Sequence, residues 1–146
     1  MADENAHVES ARRRVAEYLE ELFDEPLRDP ESDSFHVQYG STVLEIGVEP
    51  YGPEEVIVAV VAYCVQGVES DEALMRSLLE LNHELSVGAF SLVDQDVFFA
   101  HTLFGRNLDR KDLLGAIAAV ATISDEYDER IVERFGGQTA LDRIGK

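Results

Sequence analysis

Val56-Ile-Val-Ala-Val-Val-Ala-Tyr-Cys-Val65 is the stretch from which the rest of the chain is read. It is apolar throughout and rich in β-branched residues, whose stiff side chains suit a pleated strand better than a helix. As a helix it would be too short to cross a bilayer. A strand this apolar has two faces that avoid water, which sets the central question about the molecule.

Working outward toward the N-terminus, Tyr51-Gly52-Pro53 marks a turn. Before it, Leu44, Ile46 and Val48 alternate with Val43, Glu45, Gly47 and Glu49, the pattern of a half-buried strand. Earlier still, Phe35, Val37 and Tyr39 share one face of a short strand, with His36 and Gln38 on the other and Gly40-Ser41 following. Three consecutive strands joined by short turns make an antiparallel meander. Val8, Ala11, Val15, Tyr18 and Leu22, widened by Leu19 and Phe23, recur at helical spacing and predict an amphipathic helix from about residue 5 to Asp24. Pro26 and Pro30, inside an acidic run over 24–33, stop it and form a connector.

Toward the C-terminus, Ser70 reads as an N-cap, with Asp71 and Glu72 in the first turn. Leu74, Leu78, Leu81 and Leu85 then form the stripe of a helix over 70–85. Gly88 opens two strands, Ala89–Val93 and Val97–Phe104, joined by the tight turn Asp94-Gln95-Asp96. Asp109 and Asp112 start a long last helix. Leu113, Leu114, Ile117, Val120, Ala121, Tyr127 and Ile131 carry its apolar face, and Gly136-Gly137 end it. Residues 138–146 read as a loose tail. The order α-β-β-β-α-β-β-α predicts an α+β fold, a mostly antiparallel sheet packed against helices, in one domain spanning 5–137.

The charge balance narrows the function. Thirty Asp and Glu face twelve Lys and Arg, for a net charge of −18. Such a field repels nucleic-acid backbones and anionic membranes, and the Arg12–Arg14 triplet shares its helix with Glu9, Glu17, Glu20 and Glu21. Solubility or salt adaptation is one reading of the acidity, and a basic partner is another. One cysteine, Cys64, rules out an internal disulfide. The acidic, polar start of the chain is unlike a signal peptide, so a cytoplasmic protein is expected.

Motifs that carry chemistry are missing. Neither a dinucleotide-binding nor a P-loop glycine pattern occurs, nor a Gly-x-Ser-x-Gly nucleophile turn. His7, His36, His83 and His101 are widely spread, without the close pairing of a zinc site, so no metal and no cofactor are expected. Cys64 lies in an apolar strand, where a thiol is ordinary packing. Glu54/Glu55, Asp94/Asp96, Asp125/Glu126 and Asp128/Glu129 fall in turns or on an outward helix face, and a catalytic pair needs a desolvated member. His101, between Phe99 and Leu103, reads first as a partly buried imidazole; a small-ligand binder or enzyme built on it would require a deep, enclosed pocket there.

What remains is surface. Along Val97–Phe104, Val97, Phe99, His101 and Leu103 share one face, and Phe98, Ala100, Thr102 and Phe104 the other. One face must pack on the helices, and the second is either covered by another part of this chain or offered to a subunit copy or a partner. The element order resembles that of the type III secretion chaperones and the YbjN-like proteins. The local resemblance runs through Leu78-Leu-Glu-Leu-Asn82, Gly88-Ala-Phe-Ser-Leu-Val93, Val97-Phe-Phe-Ala-His-Thr-Leu103, Ser124-Asp-Glu-Tyr-Asp128 and Phe135-Gly-Gly137. In Ser124–Asp128, Ser and Tyr replace the Ala and Leu of the family pattern. The resemblance implies a non-catalytic, often dimeric protein that binds peptide segments or partner proteins, holding clients or serving as a regulatory adaptor with one fixed partner. The strand argument nominates Val61, Tyr63, Phe99, His101 and Leu103 as partner contacts. The resemblance suggests Leu74, Leu78 and Leu81 for a homodimer interface.

Overall fold

In the computed structural model, which describes residues 2–23, 27–28, 33–40 and 42–139, the apolar run forms most of a central strand, Glu55–Gln66. In chain order the elements are α1 (Ala2–Leu22), β1 (Leu27–Arg28), β2 (Phe35–Tyr39), β3 (Thr42–Tyr51), β4 (Glu55–Gln66), α2 (Glu72–Glu84), β5 (Ala89–Val93), β6 (Asp96–Phe104), α3 (Arg110–Phe135) and β7 (Gln138–Thr139). The described strands form one antiparallel sheet in the order β1-β2-β3-β4-β6-β5, with β7 paired to the end of β4. The α+β meander and helix order are as the patterning predicts.

Burial alternates along β3 from Thr42 to Glu49 and along β4 from Glu55 to Cys64. Leu44, Ile46 and Val48 of β3, with Val56, Val58, Val60 and Ala62 of β4, point into a single core. Val15 and Leu19 of α1, Leu74 and Leu78 of α2, and Leu113, Ile117 and Val120 of α3 fill the same core. The three helices therefore cover one face of the sheet.

Local departures from the sequence reading have local causes. Helix α2 begins two residues late because Asp71, not Ser70, caps it: the Asp71 carboxylate accepts from the Leu74 amide at 2.9 Å. Ser70 instead donates its hydroxyl to the Asp94 carbonyl at 2.7 Å, tying the β5–β6 turn to the loop before α2. Within the expected connector, Leu27 and Arg28 pair with His36 and Phe35; the expected helix end at Asp24 lies outside the described residues. The first two residues of the expected tail, Gln138 and Thr139, pair with Gln66 and Val65 as β7, and residues 140–146 lie outside the described ones. Gly137 lets the chain reach that position, since its φ is +90° and a Cβ there would stand 2.5 Å from the Gln66 carbonyl oxygen.

Strand β5 forms one edge of the sheet, and α2 closes it. The Asn82 side chain donates to the Phe90 carbonyl at 3.0 Å and accepts from the Phe90 amide at 2.7 Å. One amide side chain thus pairs both outward backbone groups of Phe90, as a neighbouring strand would, and blunts an edge open to unwanted pairing. Replacing Asn82 with Ala leaves both groups without that partner. An Asn82→Ala protein should lose about 1–3 kcal/mol of unfolding free energy, the cost of unsatisfied polar groups at a partly buried site; urea denaturation followed by circular dichroism measures it.

Candidate protein-binding surface

The pleat that sends even-numbered β4 residues into the core sends Ile57, Ala59, Val61 and Tyr63 to the opposite face. Registration with β6 places these against Phe104, Thr102, Ala100 and Phe98 respectively. On the other side, β3 sets Glu49, Gly47 and Glu45 beside Ile57, Ala59 and Val61. The open face therefore carries an apolar belt across β4 and β6, with carboxylates along β3.

The belt has relief. At one end the Tyr63 and Phe98 rings lie 4.6 Å apart, and at the other the Tyr51 and Phe104 rings meet edge to face at 5.9 Å. Tyr51 and Phe104 are 58% and 65% exposed, far beyond what a core pair tolerates. Between the two aromatic pairs the floor is built from Gly47, Ala59, Ala100 and Thr102, and a Cβ on Gly47 would meet only open space. A shallow trough bounded by aromatic walls results. On β2, His36 sits with Nε2 3.6 Å from Glu45 Oε2.

The nominated contacts separate between the two faces. Val61 and Tyr63 lie on the open one. Phe99 is fully buried against Phe90, with ring centroids 4.7 Å apart, so it serves the core and cannot meet a partner. His101 and Leu103 point to the helix side and line a surface cleft of about 340 Å³ with Leu108, Asp112, Gly115 and Ala116. That cleft is open rather than enclosed. The nominated dimer leucines are corrected likewise: Leu74 and Leu78 are buried in this chain's own core, and Leu81 is half-buried against it. The outward face of α2 carries Met75 and Leu79 instead, Leu79 being 69% exposed.

Ile57, Phe98, Phe104 and Tyr51 belong to the open face and were not among the nominated contacts. A signal for them exists in the hairpin. The two-residue turn at Asp94-Gln95 sets Ser91 opposite Phe98 and Phe90 opposite Phe99. A serine marks the wet face and a phenylalanine the dry one.

Two arginines of α1 are spent inside the fold. Arg12 pairs with Glu9 at 2.8 Å and Asp33 at 3.1 Å, and Arg14 donates to the Arg106 carbonyl at 2.7 Å, fastening the loop before α3 to α1. Among the described residues, no group of three or more His, Cys, Asp or Glu could hold a metal ion, and no helix is long and apolar enough to cross a membrane.

Comparison with known proteins gives a consistent result. The family described as "T3SS (YopN, CesT) and YbjN peptide-binding chaperone 1" matches residues 9–143. A chain in the crystal structure of the ExsC–ExsE complex superposes with a TM-score of 0.65 at 12% identity, over 85% of this chain and 95% of that one. A chain of the HopA1–SchA chaperone–effector complex gives 0.61 at 8% identity, over 81% of this chain and 92% of that one. No curated protein matches the chain.

The buried thiol of Cys64 yields a test of the core beneath this surface. Burial pushes it up to about 12 from an ordinary value of 9.0; its hydrogen bond with Ser124 works the other way, and the nearby Asp128 charge adds to the rise. The native state thus keeps its proton where the unfolded chain releases it. The stability this confers is complete below about pH 9 and is lost progressively as pH rises toward 12. Native protein at pH 8 should leave a disulfide reagent unreacted, with one thiol equivalent appearing only on addition of guanidinium. A Cys64→Ala protein should show a flatter decline of melting temperature between pH 9 and 10.5.

Proposed function

The chain belongs to the family of type III secretion and YbjN peptide-binding chaperones, and from that premise we propose that it holds a segment of a partner protein on the open face of its sheet. The observation that carries this reading is the belt of exposed Tyr63 and Phe104 with half-buried Ile57, Val61 and Phe98, which no helix among the described residues covers, opposite the face on which the three helices pack. Contiguous exposed apolar surface of this kind is costly to keep in water and marks an interaction site. Binding, not catalysis, is what such a surface does: aromatic walls and a small-residue floor receive side chains. The HopA1–SchA structure is of a chaperone–effector complex, and a related task on a related fold fits the same surface. The proposed compartment is the cytoplasm, where a lone thiol such as Cys64 stays reduced.

Val61 and Tyr63 are the proposed contacts retained from the original five, joined by Phe98 and Phe104. Leu103 and His101 form a second contact along the cleft on the other face. Self-association is proposed through the outward side of α2, where Met75 and Leu79 are exposed, rather than through the buried Leu74 and Leu78. An adaptor with one fixed partner would use the same surfaces but bind a narrow set of sequences, so client range distinguishes it from a general holder of segments.

Binding to an array of unstructured peptides tests the reading. A Val61→Asn/Tyr63→Ser protein should keep its circular dichroism spectrum while losing roughly thirtyfold in affinity, the scale of one interface hot spot. A wild-type protein that binds none of the peptides, and fails to slow aggregation of an unfolded client, would sink the proposal. Light scattering should report a dimer that becomes a folded monomer in Leu79→Glu; a wild-type monomer would dismiss the α2 interface.

A further inference from the structure

We infer that the segment held on the open face is basic as well as apolar, with Arg or Lys side chains received by Glu45 and Glu49. This inference rests on the proposed peptide-holding role and specifies its partner. On strands β2 to β6 the open-face positions include four carboxylates, Glu45, Glu49, Glu55 and Asp96, and no Lys or Arg. Two of the four are already occupied. Glu55 accepts from the Val56 and Arg106 amides, and Asp96 from the Gly67 amide. Among the described residues Glu45 meets only the His36 imidazole, at 3.6 Å, and Glu49 is exposed.

Glu45 and Glu49 project from one strand on one face, four residues and so roughly 13 Å apart. Gly47 lies between them and opens a notch onto Ala59. A segment laid across this notch sets its apolar side chains on Ala59, Val61 and Ala100, and its cations over the two carboxylates. Tyr51 and Tyr63, at the two ends of the belt, offer ring faces to guanidinium groups as well. A second copy of this chain is the wrong occupant. On this face it would bring Glu45 and Glu49 against their own like, and juxtaposed like charges oppose association.

Three synthetic peptides of 14 residues, sharing one frame of Val, Leu and Phe and carrying Arg, Gln or Glu at the intervening positions, provide the test. Each is titrated by fluorescence anisotropy into the full chain at 50 and 300 mM NaCl, and into a Glu45→Gln/Glu49→Gln protein. The expected order is Arg tighter than Gln by at least tenfold and Gln tighter than Glu, with the Arg advantage shrinking at high salt. The double variant should weaken the Arg peptide about tenfold and leave the Gln peptide unchanged. Equal binding of Arg and Gln peptides would overturn the inference while the peptide-holding role stands. An Arg preference undiminished in the double variant would also overturn it, by assigning the attraction to the overall charge and not to this face. Failure of all three peptides to bind would remove the peptide-holding role and this inference together.

Discussion

Everything in this molecule depends on the double apolarity of β4. A strand with one wet face needs only alternate hydrophobic residues, as β3 shows with its Glu45 and Glu49. Strand β4 instead carries Val56, Val58, Val60, Ala62 and Cys64 on the helix side and Ile57, Ala59, Val61 and Tyr63 on the other. The helices satisfy the first set. Covering the second would take further elements, and among the described residues the three helices all join the one core. The sheet is thus left with a dry face turned outward, and the open-face residues of β6 extend it through the ladder with β4.

The helix side is organised to keep that arrangement fixed. Arg14 holds the loop before α3 to α1, Ser70 and Val68 anchor the β5–β6 turn, and Asn82 saturates the edge at Phe90. Gly88, with φ +75° and the Phe99 ring 2.7 Å or less from where its Cβ would be, permits the close approach of the strand start to the core. The Arg14, Ser70 and Val68 contacts join segments far apart in sequence, so the open face is presented on a frame braced from behind.

Most of this architecture was legible in the residues. The alternation of β3, the β-branched run of β4, the leucine stripe of α2 and the cap at Asp109 each state their element through side-chain period and backbone chemistry. The strands Leu27–Arg28 and Gln138–Thr139 were not legible, because two-residue strands carry no period and owe their existence to the neighbours they meet. The site was half legible. That β4 and β6 each have two apolar sets is plain from sequence, but choosing the outward set needs the register between them. Val61 and Tyr63 fell on the open face and Phe99 on the buried one because antiparallel pairing sets Ala62, not Val61, opposite Phe99. The α2 leucines show the converse limit: a stripe at helical spacing says which residues share a face, and only packing says that Leu74 and Leu78 face inward while Leu79 faces water.

The clip of Asn82 on Phe90 has a consequence for the kind of information a partner must carry. Pairing at a strand edge reads backbone groups in order, so it imposes a direction on the incoming chain. At Phe90 that option is already taken by a side chain of the protein itself. A surface of ring faces, methyl groups and two carboxylates has no such polarity. A segment recognised there is defined by which side chains it brings and how far apart they stand, and it could run in either direction. Partners unrelated in sequence, or related only by reversed order, would then be equivalent to this face, and their sequences would be free to drift as long as that spacing survives.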